Sequence, residues 1–182
     1  MKLRAAIAVF IAAAVLLAAG AGGIVSRGEI GAVEKVVNKR LEQLSPGEPF
    51  LLLGLAQGVY LQGYGAVFMA RVNLAEGPGL TPFRPAISDQ ERARLHKMKQ
   101  ERLPTLRAAM KELMISSAGM MDNVPAEEQM VLGVSLFYHP WEDTSGLPAQ
   151  IVMQSARKNL VEFQTGRRDR STIEQVLRIQ EF

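Results

Sequence analysis

The chain has 182 residues, of which 48% are hydrophobic and none is cysteine. This length suits one domain with a terminal extension, and the lack of cysteine excludes disulfides, thiolate nucleophiles, iron–sulfur clusters and cysteine-bound zinc. The formal net charge is only +3, which gives little support for a nucleic-acid partner.

The N-terminus has the order of a secretory signal, because Lys2 and Arg4 precede an uncharged apolar run from Ala5 to Val25. An A-x-A cleavage site ends at Ala21, so cleavage would remove residues 1–21 and leave 19 basic and 18 acidic side chains. The alternative is an uncleaved anchor at residues 5–25, since about 20 residues can span a bilayer. We therefore expect export to the periplasm or the extracellular space, with membrane anchoring as the alternative.

Residues 26–182 are predicted to be one domain that opens with a helix. Ser26 and Glu29 match the S-x-x-E capping box, in which each side chain accepts a hydrogen bond from a free backbone N–H group. The hydrophobic residues that follow recur at helical spacing: Ile30, Val33, Val37, Leu41 and Leu44. The helix should end at the turn-forming segment Ser45–Pro49.

The triplet Gly63–Gly65 (glycine, tyrosine, glycine) lies within a run of β-branched and aromatic residues, which predicts strands. A turn at Gln62-Gly63 would pair Phe50–Leu61 with Tyr64–Leu74 in a hairpin, and one long bent strand is the alternative. Phe68 stands where a dinucleotide-binding motif needs its third glycine, and no P-loop lysine follows. We therefore interpret the triplet as part of a sheet, where glycine can form a turn or let a helix approach closely.

A loop rich in proline and glycine, Ala75–Pro85, leads to a long predicted helix. Ser88 and Glu91 form a second capping box, Pro104 should kink or divide the helix, and Gly119 should end it. The basic residues of this helix spread around it, whereas a membrane-surface helix segregates them on one face. The pattern therefore favours a solvated helix.

The last third of the chain predicts a buried strand at Met130–Tyr138 and a loop at His139–Pro148. Two interpretations remain open for residues 149–165: a strand followed by a helix that stops at Gly166, or a single helix. Ser171–Phe182 is predicted to be the final strand.

The order of these elements predicts an α+β fold. Neighbouring strands are joined by hairpins and the helices are grouped together, which is typical of an antiparallel arrangement. We expect a mainly antiparallel sheet of four to five strands with helices packed on one face.

The loop after the buried strand gathers His139, Trp141, Glu142 and Asp143. A metal site or an acid–base pair can be built from such groups, but a catalytic zinc usually has three protein ligands, and the other histidine, His96, lies on the charged part of the long helix. We expect a polar loop pinned by Trp141, with no metal and no cofactor. The alternative is a secreted hydrolase or metal-assisted enzyme that uses His139, Glu142 and Asp143.

The function predicted from the sequence is therefore a non-catalytic binding or scaffolding domain of the bacterial envelope. Its partner would be a protein, with no nucleic-acid ligand, and membrane contact would come only through an uncleaved N-terminal segment. Tyr60, Tyr64 and Trp141 are the candidate binding residues, because exposed aromatic residues dominate interface hot spots.

Overall fold

Three α-helices, one 3-10 helix and six β-strands make up the part of the chain that the computed structural model describes, residues 23–44, 50–80, 82 and 86–182. In chain order they are α1 (Arg27–Glu42), β1 (Leu51–Leu52), β2 (Gln57–Leu61), β3 (Gly65–Asn73), α2 (Asp89–Ala118), β4 (Gln129–Leu136), β5 (Gln150–Ala156), α3 (Arg157–Gln164), the 3-10 helix (Arg170–Gln175) and β6 (Arg178–Glu181). The predicted signal at residues 1–21 and the predicted helix stop at residues 45–49 lie outside these ranges, as do residues 5–22 of the alternative anchor. Among the described helices, none is long and apolar enough to cross a membrane.

All six strands form one sheet, in which β1, β3, β4, β5 and β6 follow one another and β2 also pairs with β3. Four of the five pairings are antiparallel, whereas β3 and β4 run parallel, from Gly65 beside Gln129 to Val72 beside Leu136. The predicted α+β class is confirmed, but the sheet is mixed and has one strand more than expected. The parallel pair arises because α2 carries the chain back along the sheet between β3 and β4.

The hydrophobic core lies on one face of this sheet. Alternate residues of β3 are buried there: Ala66, Phe68, Ala70 and Val72. They belong to a single hydrophobic cluster with buried residues of all three helices. Gly58 of β2 lies so close to α1 that an added Cβ would stand 2.7 Å from the side chain of Ile30. The helices therefore cover this face of the sheet.

The opposite face carries the residues that alternate with the buried ones, and we call it the open face. Its members follow from the strand register: Leu51 of β1, Gln57, Val59 and Leu61 of β2, Gly65, Val67, Met69, Arg71 and Asn73 of β3, Gln129, Val131, Gly133 and Ser135 of β4, Gln150, Val152, Gln154 and Ala156 of β5, and Arg178 and Gln180 of β6.

Both predicted capping boxes are present. Ser26 Oγ accepts a hydrogen bond from the Glu29 N–H group, and the Glu29 carboxylate accepts one from the Ser26 N–H group at 2.8 Å. The Ser88 and Glu91 pair repeats this arrangement at the start of α2. Both predicted helix starts are therefore confirmed. The hydrophobic residues of α1 that recur at helical spacing are buried from Ile30 to Leu41.

The long helix α2 continues through Pro104 as one element of 30 residues and ends at the Gly119 cap. Of the two predicted effects of Pro104, the division into two helices is therefore wrong, and the kink stays a prediction. Proline removes one hydrogen bond of the helical ladder, but Leu103 and Leu106 on either side of it are buried in the core and hold both parts of the helix in place.

The segment after β4 resolves the two interpretations in favour of a strand followed by a helix, because β5 leads directly into α3. Gly166 has a φ of 71° just beyond the end of α3, as expected of a glycine helix stop. The predicted strand Ser171–Phe182 is wrong in its first half, where the 3-10 helix stands. Ile173 and Leu177 are both buried, whereas Gln175 between them is exposed. In a strand all three would share one face, so the helical turn buries the two apolar side chains and leaves the glutamine in water.

Candidate functional site

The Gly63–Gly65 triplet forms the turn of the β2–β3 hairpin. The Tyr64 N–H group donates to the Leu61 carbonyl at 2.9 Å, and the Tyr64 carbonyl accepts from the Gln129 N–H group at 2.7 Å. Gly63 and Gly65 have φ angles of 80° and 136°, a region in which glycine is not strained. The predicted turn is confirmed, although the strand expected at Phe50–Leu61 is interrupted between β1 and β2.

The three aromatic residues predicted to bind a partner do not converge. Tyr60 lies half-buried against the core, where burial and then the Glu128 carboxylate raise its pKa. Tyr64 is 43% exposed at the hairpin turn, beside the first residue of β4. Trp141 lies beyond the other end of β4, so the strand, at about 3.3 Å per residue, separates the two by roughly 25 Å.

The loop His139–Asp143 is held by contacts between aromatic rings. The rings of Trp141 and His139 stack with centroids 5.3 Å apart and planes at 7°, and His139 meets the Phe137 ring edge-on at 4.9 Å. The guanidinium of Arg71 lies 5.2 Å from the centroid of Phe137. Trp141 also packs on Gly77, where an added Cβ would stand 2.9 Å from the indole. Trp141 is therefore enclosed on two sides.

A buried ion pair joins this loop to α2. Lys99 Nζ lies 2.5 Å from Glu142 Oε2, and the two side chains are 0% and 3% exposed. Lys99 Nζ also donates to the Phe137 carbonyl at 3.2 Å and lies 4.8 Å from the ring centroid of Tyr138. The second oxygen of Glu142 accepts from the His139 N–H group at 3.0 Å. Burial lowers the pKa of Lys99, and the Glu142 carboxylate opposes that change.

Sequence reasoning missed Lys99, which it counted among the basic residues of a solvated helix. A signal was present, because Leu95, Lys99 and Leu103 follow one another at intervals of four residues and so share one face of a helix. All three are buried. A lysine in an apolar stripe needs a buried acceptor, and that acceptor is the loop carboxylate of Glu142.

The loop residues that a hydrolase or metal-assisted enzyme would use form hydrogen bonds within the protein. Glu142 has both oxygens engaged, and hydrogen bonds from Ser145 lower the pKa of Asp143. Nδ1 of His96 lies 2.9 Å from the backbone carbonyl of Asp143. Within the described residues, no group of three histidine, aspartate or glutamate side chains could hold a metal ion.

Two clefts border this region. One, of about 500 Å³, lies between Trp141 and the start of α2 and includes Asp89 and Arg92, which form an ion pair with each other. The other, of about 430 Å³, opens on the open face of the sheet. We call it the open-face cleft, and its side chains include Leu53, Leu55, Gln57, Met69, Arg71 and Ser135.

Comparison of the chain with protein-family models, with curated proteins and with solved structures finds no significant match.

Tyr138 should make the protein less stable at alkaline pH. Its hydroxyl donates to the Pro148 carbonyl at 2.8 Å, and burial followed by the charge of Glu142 raises its pKa to about 12. A tyrosine of the unfolded chain ionises near pH 10, so the unfolded state binds fewer protons between about pH 10 and 12. The free energy of unfolding should therefore fall as pH rises through this window, by up to about 3 kcal/mol.

Urea unfolding at about pH 9 and about pH 12 measures this change, with Tyr138→Phe as the control. The variant should lose about 1 kcal/mol at the lower pH, because it lacks the hydrogen bond to Pro148, and its stability should fall less between the two values. An equal alkaline loss in both proteins would contradict the assignment to Tyr138.

Proposed function

We propose that this chain is an exported, non-catalytic binding or scaffolding domain of the bacterial envelope, whose protein partner contacts the open face of the sheet. The observation that supports this proposal is the contrast between the two faces. Helices cover one face, whereas Val59, Leu61 and Met69 on the other are 49%, 47% and 37% exposed. Neighbouring exposed apolar side chains of this kind mark interaction surfaces.

The alternative, a hydrolase that uses His139, Glu142 and Asp143, has weaker support. A general acid or base must be free to exchange a proton with the substrate, and the Glu142 carboxylate is buried against Lys99. The His139 ring stacks on Trp141 and meets the Phe137 ring edge-on. A screen with ester and peptide substrates, run with the original chain and with Glu142→Gln, would support the alternative if turnover were found and then lost in the variant.

Export predicts the mass of the chain and the cell fraction in which it is found. Bacterial cells that express the full chain should contain, in the periplasmic or secreted fraction, a form lacking residues 1–21. Intact mass spectrometry of each fraction measures this. A full-length chain in the membrane fraction would instead identify residues 5–25 as an anchor, and a full-length chain confined to the cytosol would contradict export.

The binding surface is tested by a double variant, Val59→Ser with Leu61→Ser. Both side chains are about half exposed, so the fold should tolerate the change, while chemical cross-links to envelope proteins should fall by about tenfold, since a few apolar contacts dominate an interface. Leu80→Ser is the matched control, because Leu80 is 54% exposed in the loop after β3.

Tyr64→Ala and Trp141→Ala complete the set and test the aromatic residues that the sequence singled out. Because Tyr64 is exposed and Trp141 is enclosed, we expect weaker partner binding from the first variant and lower stability from the second.

The double variant Val59→Ser with Leu61→Ser could also contradict the proposal. If it cross-linked to every partner at the level of the original chain, the interface would not lie on the open face.

A further inference from the structure

We infer that the open-face cleft binds a polypeptide segment in which an aliphatic side chain stands next to a carboxylate. This inference rests on the proposed binding function and specifies the partner chemistry. The apolar side chains of the cleft are those of Leu53, Leu55 and Met69. Leu55 is 74% exposed, so this leucine would gain contact area if an apolar side chain entered the cleft.

The charge of the open face indicates the second element of the ligand. Its strand positions carry Arg71 and Arg178 together with several glutamines, and none of them is an aspartate or glutamate. Arg71 borders the cleft and stacks over Phe137, and within the described ranges no carboxylate forms an ion pair with it. A stacked guanidinium keeps its N–H donors available at its edge, where a carboxylate can accept two hydrogen bonds.

The floor of the cleft can adapt to a side chain. Met69 lies across Gly133, with its sulfur 2.4 Å from the position that a Cβ on Gly133 would take. Methionine changes rotamer readily and fills irregular space, so it can move to admit a side chain of the ligand. Gln57 and Ser135 add polar groups that can bind the backbone of a peptide.

The same features disfavour other occupants. A second copy of this chain on the open face would bring Arg71 and Arg178 against the same two side chains without an opposing acid, which is repulsive. A bilayer presents a plane, whereas the binding surface here is a cleft of about 430 Å³. An extended segment with alternating side chains fits a cleft beside a sheet better.

Peptide arrays test the inference with the full chain as the probe. One array holds short peptides that place leucine, isoleucine or methionine next to aspartate or glutamate; matched arrays replace the acid by its amide or by lysine. We expect the acidic array to retain about tenfold more protein than the amide array, because charge-assisted bidentate hydrogen bonds are stronger than neutral ones. Arg71→Gln should remove this preference, and Arg71→Glu should shift it to the lysine array.

Two variants probe the apolar part separately. Leu55→Ser should weaken retention on the acidic array, and Gly133→Ala should do so by raising Met69 into the cleft, while both should keep the preference for acid over amide. Leu80→Ser, an exposed leucine outside the cleft, is the control and should bind like the original chain. Thermal unfolding of each variant verifies that it is folded.

Equal retention on the acidic and amide arrays, or unchanged binding by Arg71→Gln, would overturn the inference. So would binding to vesicles of anionic phospholipid without binding to peptides, and so would self-association that Leu55→Ser abolishes. The proposed function is tested separately by the cross-linking of the Val59 and Leu61 double variant. If that double variant loses its cross-linked partners while the acidic and amide arrays retain equal amounts of protein, the inferred peptide chemistry is wrong. The proposal that partners bind the open face would still hold.

Discussion

Replacing Lys99 by methionine is expected to lower the free energy of unfolding by about 3–5 kcal/mol, because the Glu142 carboxylate would remain buried without its ion partner. The two side chains are almost inaccessible to water, so solvent cannot take over the lost interaction. The variant also removes the hydrogen bond to the Phe137 carbonyl. Urea unfolding at neutral pH measures the loss.

A matched control lies two residues away on the same helix. Lys97 pairs with Glu101 at 3.9 Å, and these side chains are 77% and 64% exposed. Lys97→Met should change stability by less than about 0.5 kcal/mol, since exposed pairs contribute little. A similar loss in Lys97→Met and Lys99→Met would show that burial does not set the cost.

A double variant separates the charge from the packing. Lys99→Met combined with Glu142→Leu removes both buried charges, and such replacements are often neutral or stabilising. We expect it to recover most of the stability lost in the single variant, because the two changes are strongly coupled. An additive loss would contradict an ion pair as the source of the effect.

The double variant also tests whether the loop and the cleft act independently. Glu142 holds the loop by accepting from the His139 N–H group, and Trp141, the single tryptophan of the chain, would report its release by fluorescence. The open-face cleft takes its side chains from β2, β3, β4 and the segment before β2. Arg71 of the cleft stacks over Phe137, which meets the His139 ring of the loop edge-on, so loop release should affect peptide binding only through Arg71.

Sequence reasoning located the helices of this fold because their signals are local. The Ser26 and Ser88 boxes and their glutamate partners lie three residues apart, and Gly166 ends α3 through its own backbone freedom. Such features depend on neighbouring residues alone, so one sequence is enough to identify them. The hairpin turn at Gly63 belongs to the same class.

Features set by distant residues were not predictable in this way. The parallel pairing of β3 with β4 depends on how α2 packs back on the sheet, and no short segment encodes that choice. The partner of Lys99 lies 43 residues away along the chain. The cleft beside Arg71 combines residues from separate strands, so no motif announces it, whereas the more conspicuous aromatic residues are at opposite ends of β4.

Replacing Gly65 by alanine is expected to destabilise the fold by about 3 kcal/mol, for two reasons that act together. Its φ of 136° lies in a region that residues with a Cβ rarely adopt. The added Cβ would also stand 1.9 Å from the Gln129 carbonyl oxygen, and backbone atoms of the parallel pair cannot move aside without breaking the β3–β4 ladder. Thermal and urea unfolding measure the loss.

Two other glycines separate the conformational cost from the collision. Gly63 has a φ of 80° with open space around it, so Gly63→Ala should cost only about 1 kcal/mol, the cost of the left-handed conformation alone. Gly79 has neither a positive φ nor a neighbour within 4 Å, so Gly79→Ala should be neutral or slightly stabilising. If Gly65→Ala were no worse than Gly63→Ala, the β3 backbone would be able to separate from Gln129, and the close approach would not be what requires the second glycine of the triplet.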